Sequence, residues 1–140
     1  MLAKSIVSRL RSAGYKITNA RRQVIDVLCE TDDHLTSTDI LERVKSRDPS
    51  IGRASVFRVL DLLTELAFIR PTYLISRTPS YVVIPIDGHH AHIICPLCQT
   101  VIELNTCELD DLIDRIGQSF GRRISGHLLE LYGQCNDCTP

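Results

Sequence analysis

Apolar residues recur at helical spacing through the first half of the chain, and the polar residues between them carry recognisable start and stop signals. Ile6, Leu10 and Ala13 precede Gly14, which predicts a first helix over residues 3–13 with the glycine as its stop. Thr18 or Asn19 can cap a second helix whose inner stripe is Val24, Val27 and Leu28, with Cys29 at its end as a small buried residue. Thr36 and Asp39 have the spacing of a capping box, and Ile40, Leu41 and Val44 form the apolar face of a third helix that Pro49 closes. A fourth helix runs to about Ala67. Val56, Leu60 and Leu63 turn inward on it, which leaves Arg53, Ser55 and Arg58 for the outer side.

Beyond Ala67 the period shortens and β-branched and aromatic residues take over. Residues 68–75 and 81–86 flank Ser76-Arg77-Thr78-Pro79 and predict a hairpin. Helices followed by a hairpin make a winged helix-turn-helix, and a short helix, a turn and a helix with exposed basic and hydroxyl groups suit a major-groove reader. Ile86-Asp87-Gly88 has the composition of a hinge. After it, residues 89–94, 100–104 and 124–132 predict strands, the last carrying His127 and Glu130, and Leu109, Leu112, Ile113 and Ile116 predict a helix. The fold class is therefore α+β, with one domain over 1–86 and a smaller one over 89–140. So small a second core needs a staple or a partner.

Cysteine spacing supplies the staple. Cys95-Pro-Leu-Cys98 and Cys135-Asn-Asp-Cys138 are two C-x-x-C pairs, and four thiolates brought to one centre bind zinc tetrahedrally. Disulfides and a redox C-x-x-C are the alternatives. Neither suits the setting, because the first residues lack a signal peptide's apolar core and no apolar run is long enough to span a bilayer. A reducing cytoplasm is expected, where six cysteines point to metal.

The net charge of −1 conceals an asymmetry. Up to residue 70 there are 12 Lys and Arg against 9 Asp and Glu, and beyond it 4 against 8. Lys4, Arg9, Arg11, Lys16, Arg21 and Arg22 crowd the first 25 residues, which hold no acid. A basic front suits a polyanion, and an acidic back suits cations or a protein partner. Enzyme readings fare poorly. A zinc deaminase needs H-x-E, where this chain has His90-Ala91-His92, and the H-E-x-x-H of zinc proteases is absent.

Three motifs in order, Ala54-Ser55-Val56-Phe57-Arg58-Val59-Leu60, His89-His90-Ala91-His92-Ile93-Ile94-Cys95-x-x-Cys98 and His127-x-Leu129-Glu130-x-Tyr132-Gly133-x-Cys135-x-x-Cys138, resemble the ferric uptake regulator (Fur) family of metal-responsive transcription factors. The resemblance covers nearly the whole chain. It implies a cytoplasmic homodimer, each chain with an N-terminal winged helix and a C-terminal α/β dimerisation domain. The implied partner is double-stranded DNA, as an A·T-rich inverted repeat, and no membrane is involved.

Carried over by position, the resemblance makes Cys95, Cys98, Cys135 and Cys138 a structural zinc site and His34, His90, His92 and Glu103 a regulatory site. The family's usual acid before the hinge is missing, since Tyr81-Val82-Val83-Ile84 holds no carboxylate. Four remaining ligands suit zinc better than iron(II), with manganese a further candidate. A third site would use His89, Asp110 and His127, but Ala91 stands where a ligand is usual, and Glu108 or a water would have to substitute. Cys107 is read as structural. On the DNA side, Arg53 is expected among the DNA-binding residues, with Lys16 near the minor groove, Arg58 at a phosphate or base, and Ser55 and Phe57 at base edges or thymine methyls. Phe57 lacks the hydroxyl of the family's usual tyrosine. The expected function is metal-dependent repression of metal-homeostasis genes. A peroxide-sensing relative and a zinc-stapled interaction module without sensing are the alternatives.

Overall fold

The computed structural model describes residues 2–31, 34–73, 78–84, 89–104, 109–124 and 126–139. The chain separates into two compact units, residues 1–83 and 84–140. The expected hinge at Ile86-Asp87-Gly88, the turn residues Ser76 and Arg77, and Cys107 and Glu108 lie outside the described residues.

The first unit opens with α1 (Leu2–Ser12) and α2 (Asn19–Cys29). Gly14 ends the first of these at φ 86°, as a residue with no Cβ can. Of the two cap candidates for α2 the cap is Thr18, whose Oγ1 accepts from the Arg21 N–H at 3.3 Å. The predicted capping box starts α3 (Ser37–Arg47): the Asp39 N–H donates to Thr36 Oγ1 at 3.2 Å, and the Thr36 N–H donates to Asp39 Oδ2 at 2.9 Å. Next comes α4 (Arg53–Glu65), which ends two residues before the predicted limit. Ala67 there adopts φ 59°, and the Phe68 N–H reaches back to the Leu63 carbonyl at 2.8 Å, so the helix closes with a left-handed residue that is not glycine.

The wing is a three-stranded antiparallel sheet. The hairpin strands β2 (Ile69–Thr72) and β3 (Ser80–Val83) are shorter than predicted, and a two-residue strand β1 (Leu35–Thr36) pairs with β3 to give the order β1-β3-β2. No period can reveal a strand of two residues. Helices and sheet enclose Leu10, Val24, Ile25, Ile40, Val44, Val56, Leu63 and Ile69, all with no solvent exposure. This is a winged helix-turn-helix with a continuous apolar core.

The second unit contains β4 (His89–Ile94), β5 (Val101–Leu104), α5 (Asp110–Ser119) and β6 (His127–Tyr132). The final strand begins three residues later than predicted. The strands order as β5-β4-β6, with β4–β5 antiparallel and β4–β6 parallel. The parallel pairing decides what happens at the strand ends. Ile94 and Tyr132 stand side by side, so both strands leave the sheet in the same direction and each leads into a C-x-x-C pair. None of the described helices is long and apolar enough to cross a membrane.

Candidate metal centre and DNA-reading face

Each cysteine pair sits on a turn that follows a strand. After β4 the Gln99 N–H donates to the Cys95 carbonyl at 2.8 Å, Gln99 adopts φ 61°, and the Cys95 N–H donates to the Thr100 carbonyl at 3.0 Å. After β6 the N–H groups of Cys138 and Thr139 both donate to the Cys135 carbonyl at 3.0 Å. The Gly133 N–H binds the Ile94 carbonyl at 3.0 Å and holds the two exits together.

As a result the ligand atoms of Cys95, Cys98, Cys135 and Cys138 all lie within 4.8 Å of one another. None of the four forms a disulfide, and Cys98 Sγ is 3.6 Å from Cys135 Sγ. A tetrahedron with zinc–sulfur bonds of about 2.3 Å has sulfur–sulfur edges of about 3.8 Å, so the quartet matches zinc in donor type, number and spacing. Among the described residues it is the only group of three or more His, Cys, Asp or Glu gathered this tightly.

The proton affinities of the thiols reflect their neighbours. Backbone N–H groups of Cys98 and Cys135 point at Cys95 Sγ, the latter at 3.5 Å, and lower its pKa from 9.0 to about 6. The Thr100 hydroxyl, 3.1 Å from Cys98 Sγ, lowers that thiol as well. Contacts from the Cys135 and Cys98 sulfurs raise Cys138 to about 12, because thiolates cannot crowd together without a cation. Thr100 was not anticipated from the sequence, although its place two residues after the knuckle is a usable signal.

The histidine-bearing strand has an ordered setting. His92 is fully buried and stands opposite Glu103 on β5 and Glu130 on β6, so the three residues form one row across the sheet. Glu103 is exposed, and Glu130 accepts a 2.6 Å hydrogen bond from the Tyr132 hydroxyl. His90 stands two positions before His92, opposite Leu128, and His89 stands opposite His127. The parallel pairing thus places two expected third-site residues side by side. Asp110 is the exposed first residue of α5. His34 belongs to the first unit, half-buried, immediately before β1.

The DNA-reading candidates all lie in the first unit. Lys16 is exposed in the α1–α2 connection, and its carbonyl accepts from the Arg21 guanidinium. On α4, Arg53 and Arg58 are exposed while Ser55 and Phe57 are half-buried. Arg58 Nε donates to the Ala54 carbonyl at 3.2 Å, and the Arg53 guanidinium lies over the Phe57 ring, 4.9 Å from its centroid. That last pairing was not expected from the sequence, though arginine four residues before an aromatic on a helix is a signal for it.

The model of the ferric uptake regulator family matches residues 12–132. A ferric uptake regulation protein of Bacillus subtilis is 34% identical over 137 residues, covering 95% of this chain and 91% of the relative. One from Neisseria meningitidis serogroup C is 30% identical over 135 residues, covering 96% and 93%. Among solved structures, the Helicobacter pylori ferric uptake regulator, described as having three functional metal-binding sites, superposes with a TM-score of 0.67 at 25% identity, covering 99% of this chain and 94% of that one.

Proposed function

Given that the chain belongs to the ferric uptake regulator family, we propose that it is a homodimeric DNA-binding repressor of metal-homeostasis genes, switched by zinc or iron(II) and stapled by a separate zinc. The observation that carries this reading is the match over residues 12–132, which takes in both the α4 reading face and the histidine strand. A DNA reader alone would not need the second unit, and an interaction module would not need the basic first one.

In this proposal Cys95, Cys98, Cys135 and Cys138 hold the structural zinc, which supplies the cationic centre that four crowded sulfurs require. His34, His90, His92 and Glu103 would hold the regulatory cation, which would supply positive charge to three imidazoles and one carboxylate. The absence of a carboxylate from residues 81–84 limits the donors to three imidazoles and one acid, a set that favours zinc. His89, Asp110 and His127 form a further, incomplete site beside Ala91.

In the proposed homodimer the reading helices come as a pair, one α4 from each copy. Two reading helices enter successive major grooves together only when their separation matches the half-site spacing. Shifting the population from mostly incompetent to mostly competent takes on the order of 5 kcal/mol of differential affinity. Lys16 and Arg58 contact the backbone or base edges of an A·T-rich inverted repeat, and Ser55 and Phe57 meet base edges and thymine methyls.

The test is a gel-shift titration on such a repeat with zinc, iron(II) and manganese in turn, with a chelator control. Binding should depend on one of the cations, and His90→Ala should abolish that dependence while preserving the circular dichroism spectrum. Indifference of the wild type to all three would leave a zinc-stapled module without sensing.

A further inference from the structure

The first turn of α4 carries an arginine that the structure holds ready without engaging. Arg53 is the first residue of the helix, is exposed, and rests over the ring of Phe57 one turn later. A cation over an aromatic face is attracted by the ring's π charge and spends none of its N–H donors there. Among the described residues no carboxylate pairs with Arg53, whereas Arg58 already uses its Nε on the helix backbone.

The neighbouring residues strengthen this reading. Gly52, the N-cap, offers no side chain to cover the turn, and a Cβ built there would meet nothing within 4 Å. Phe57 is half-buried, so the platform under the guanidinium is itself anchored. Phenylalanine rather than tyrosine leaves the ring with no hydroxyl to turn toward a base, and its remaining polar capacity is the π face that Arg53 occupies. An exposed arginine normally loses much side-chain freedom on binding, and the stack has removed part of that cost beforehand.

We propose that Arg53, positioned by Phe57, is a specificity-determining residue that reads one guanine per half-site through its O6 and N7 in the major groove. The proposal rests on the DNA-binding reading above. Guanine is favoured over phosphate for two reasons. The N-terminal residues of a recognition helix are the ones that meet base edges, and the planar fork of arginine matches the two guanine acceptors.

The experiment is selection of bound duplexes from a randomised library by the full-length, zinc-loaded protein, followed by affinity measurements at several salt concentrations. Wild type should select a guanine at one fixed position in each half-site. Arg53→Ala should lose that preference alone, weakening the selected site roughly five- to 150-fold while hardly affecting a site with that base pair replaced. Phe57→Leu, which keeps an apolar group but no π face, should relax the same position partially. Retained guanine preference in Arg53→Ala would overturn the proposal. So would a uniform loss across sequences with the salt slope reduced by about one, the mark of a phosphate contact. Failure of the wild type to bind any duplex with zinc, iron(II) or manganese would overturn the DNA-binding reading itself, and this proposal with it.

Discussion

The two units of this chain reach order by different means. In residues 1–83, four helices and a wing enclose a continuous set of apolar side chains, many with no exposure at all. In residues 84–140 the buried apolar side chains among the described residues reduce to Ala91, Ile94 and Cys95. Large hydrophobics there remain open to solvent, among them Ile102, Leu112, Ile116, Phe120, Leu131 and Tyr132. The first unit is held by burial, which is distributed and tolerant. The second offers instead four sulfurs at the ends of β4 and β6, close enough together to take one zinc ion, and leaves large apolar side chains exposed.

The sharpest way to break this contrast is to remove one sulfur. Cys98→Ser should abolish stoichiometric zinc by metal analysis and unfold residues 84–140, since structural zinc in small domains contributes on the order of 10 kcal/mol. The helical signal of the first unit should survive in circular dichroism. Intact β4–β6 protection in hydrogen exchange without zinc would show that the sulfurs are not the staple. The converse substitution is Leu63→Ala in the first core, where the side chain is fully buried. It should cost about 2–5 kcal/mol in the denaturant unfolding of residues 1–83, with zinc content unchanged.

The smallest effect concerns a local device. Thr36→Ala removes the N-cap of α3 and should cost about 1 kcal/mol. The same change alters the acid response. The Thr36 hydroxyl and N–H hold Asp39 below the usual carboxylate range. A lowered folded-state pKa contributes stability that is full above the ordinary carboxylate pKa and is lost as pH falls through the folded value. Acid unfolding of the first unit should therefore be less steep in the variant, by thermal melts from pH 5 downward. An unchanged slope would remove Asp39 from the acid response.

Much of the candidate chemistry was legible before any coordinates, because it rests on short spacings. Two C-x-x-C pairs, the cap at Thr36 and Asp39, and the stripe Val56, Leu60, Leu63 are local patterns, and all three reappear in the structure. Legibility failed where the deciding contact is distant or the local rule is broken. The helix α4 ends two residues before the expected limit because Ala67 takes a left-handed conformation that glycine ordinarily marks. The strand β1 escaped because two residues show no period, and only pairing with β3 defines it. The Arg53–Phe57 stack fits helical spacing, but the spacing alone does not say that the guanidinium settles over the ring.

By itself the sequence determined the helices, the capping box at Thr36, the paired cysteines and the family, since each depends on residues within one or two turns of each other or on motifs in order. Tertiary structure alone decided that β6 lies parallel to β4. That register sets His92 between Glu103 and Glu130, sets His89 beside His127, and brings Cys135 and Cys138 to Cys95 and Cys98 across about forty residues of chain. A parallel pair has no connecting turn to announce it, and its register is chosen by which side chains the sheet can bury, a property no stretch of sequence carries alone.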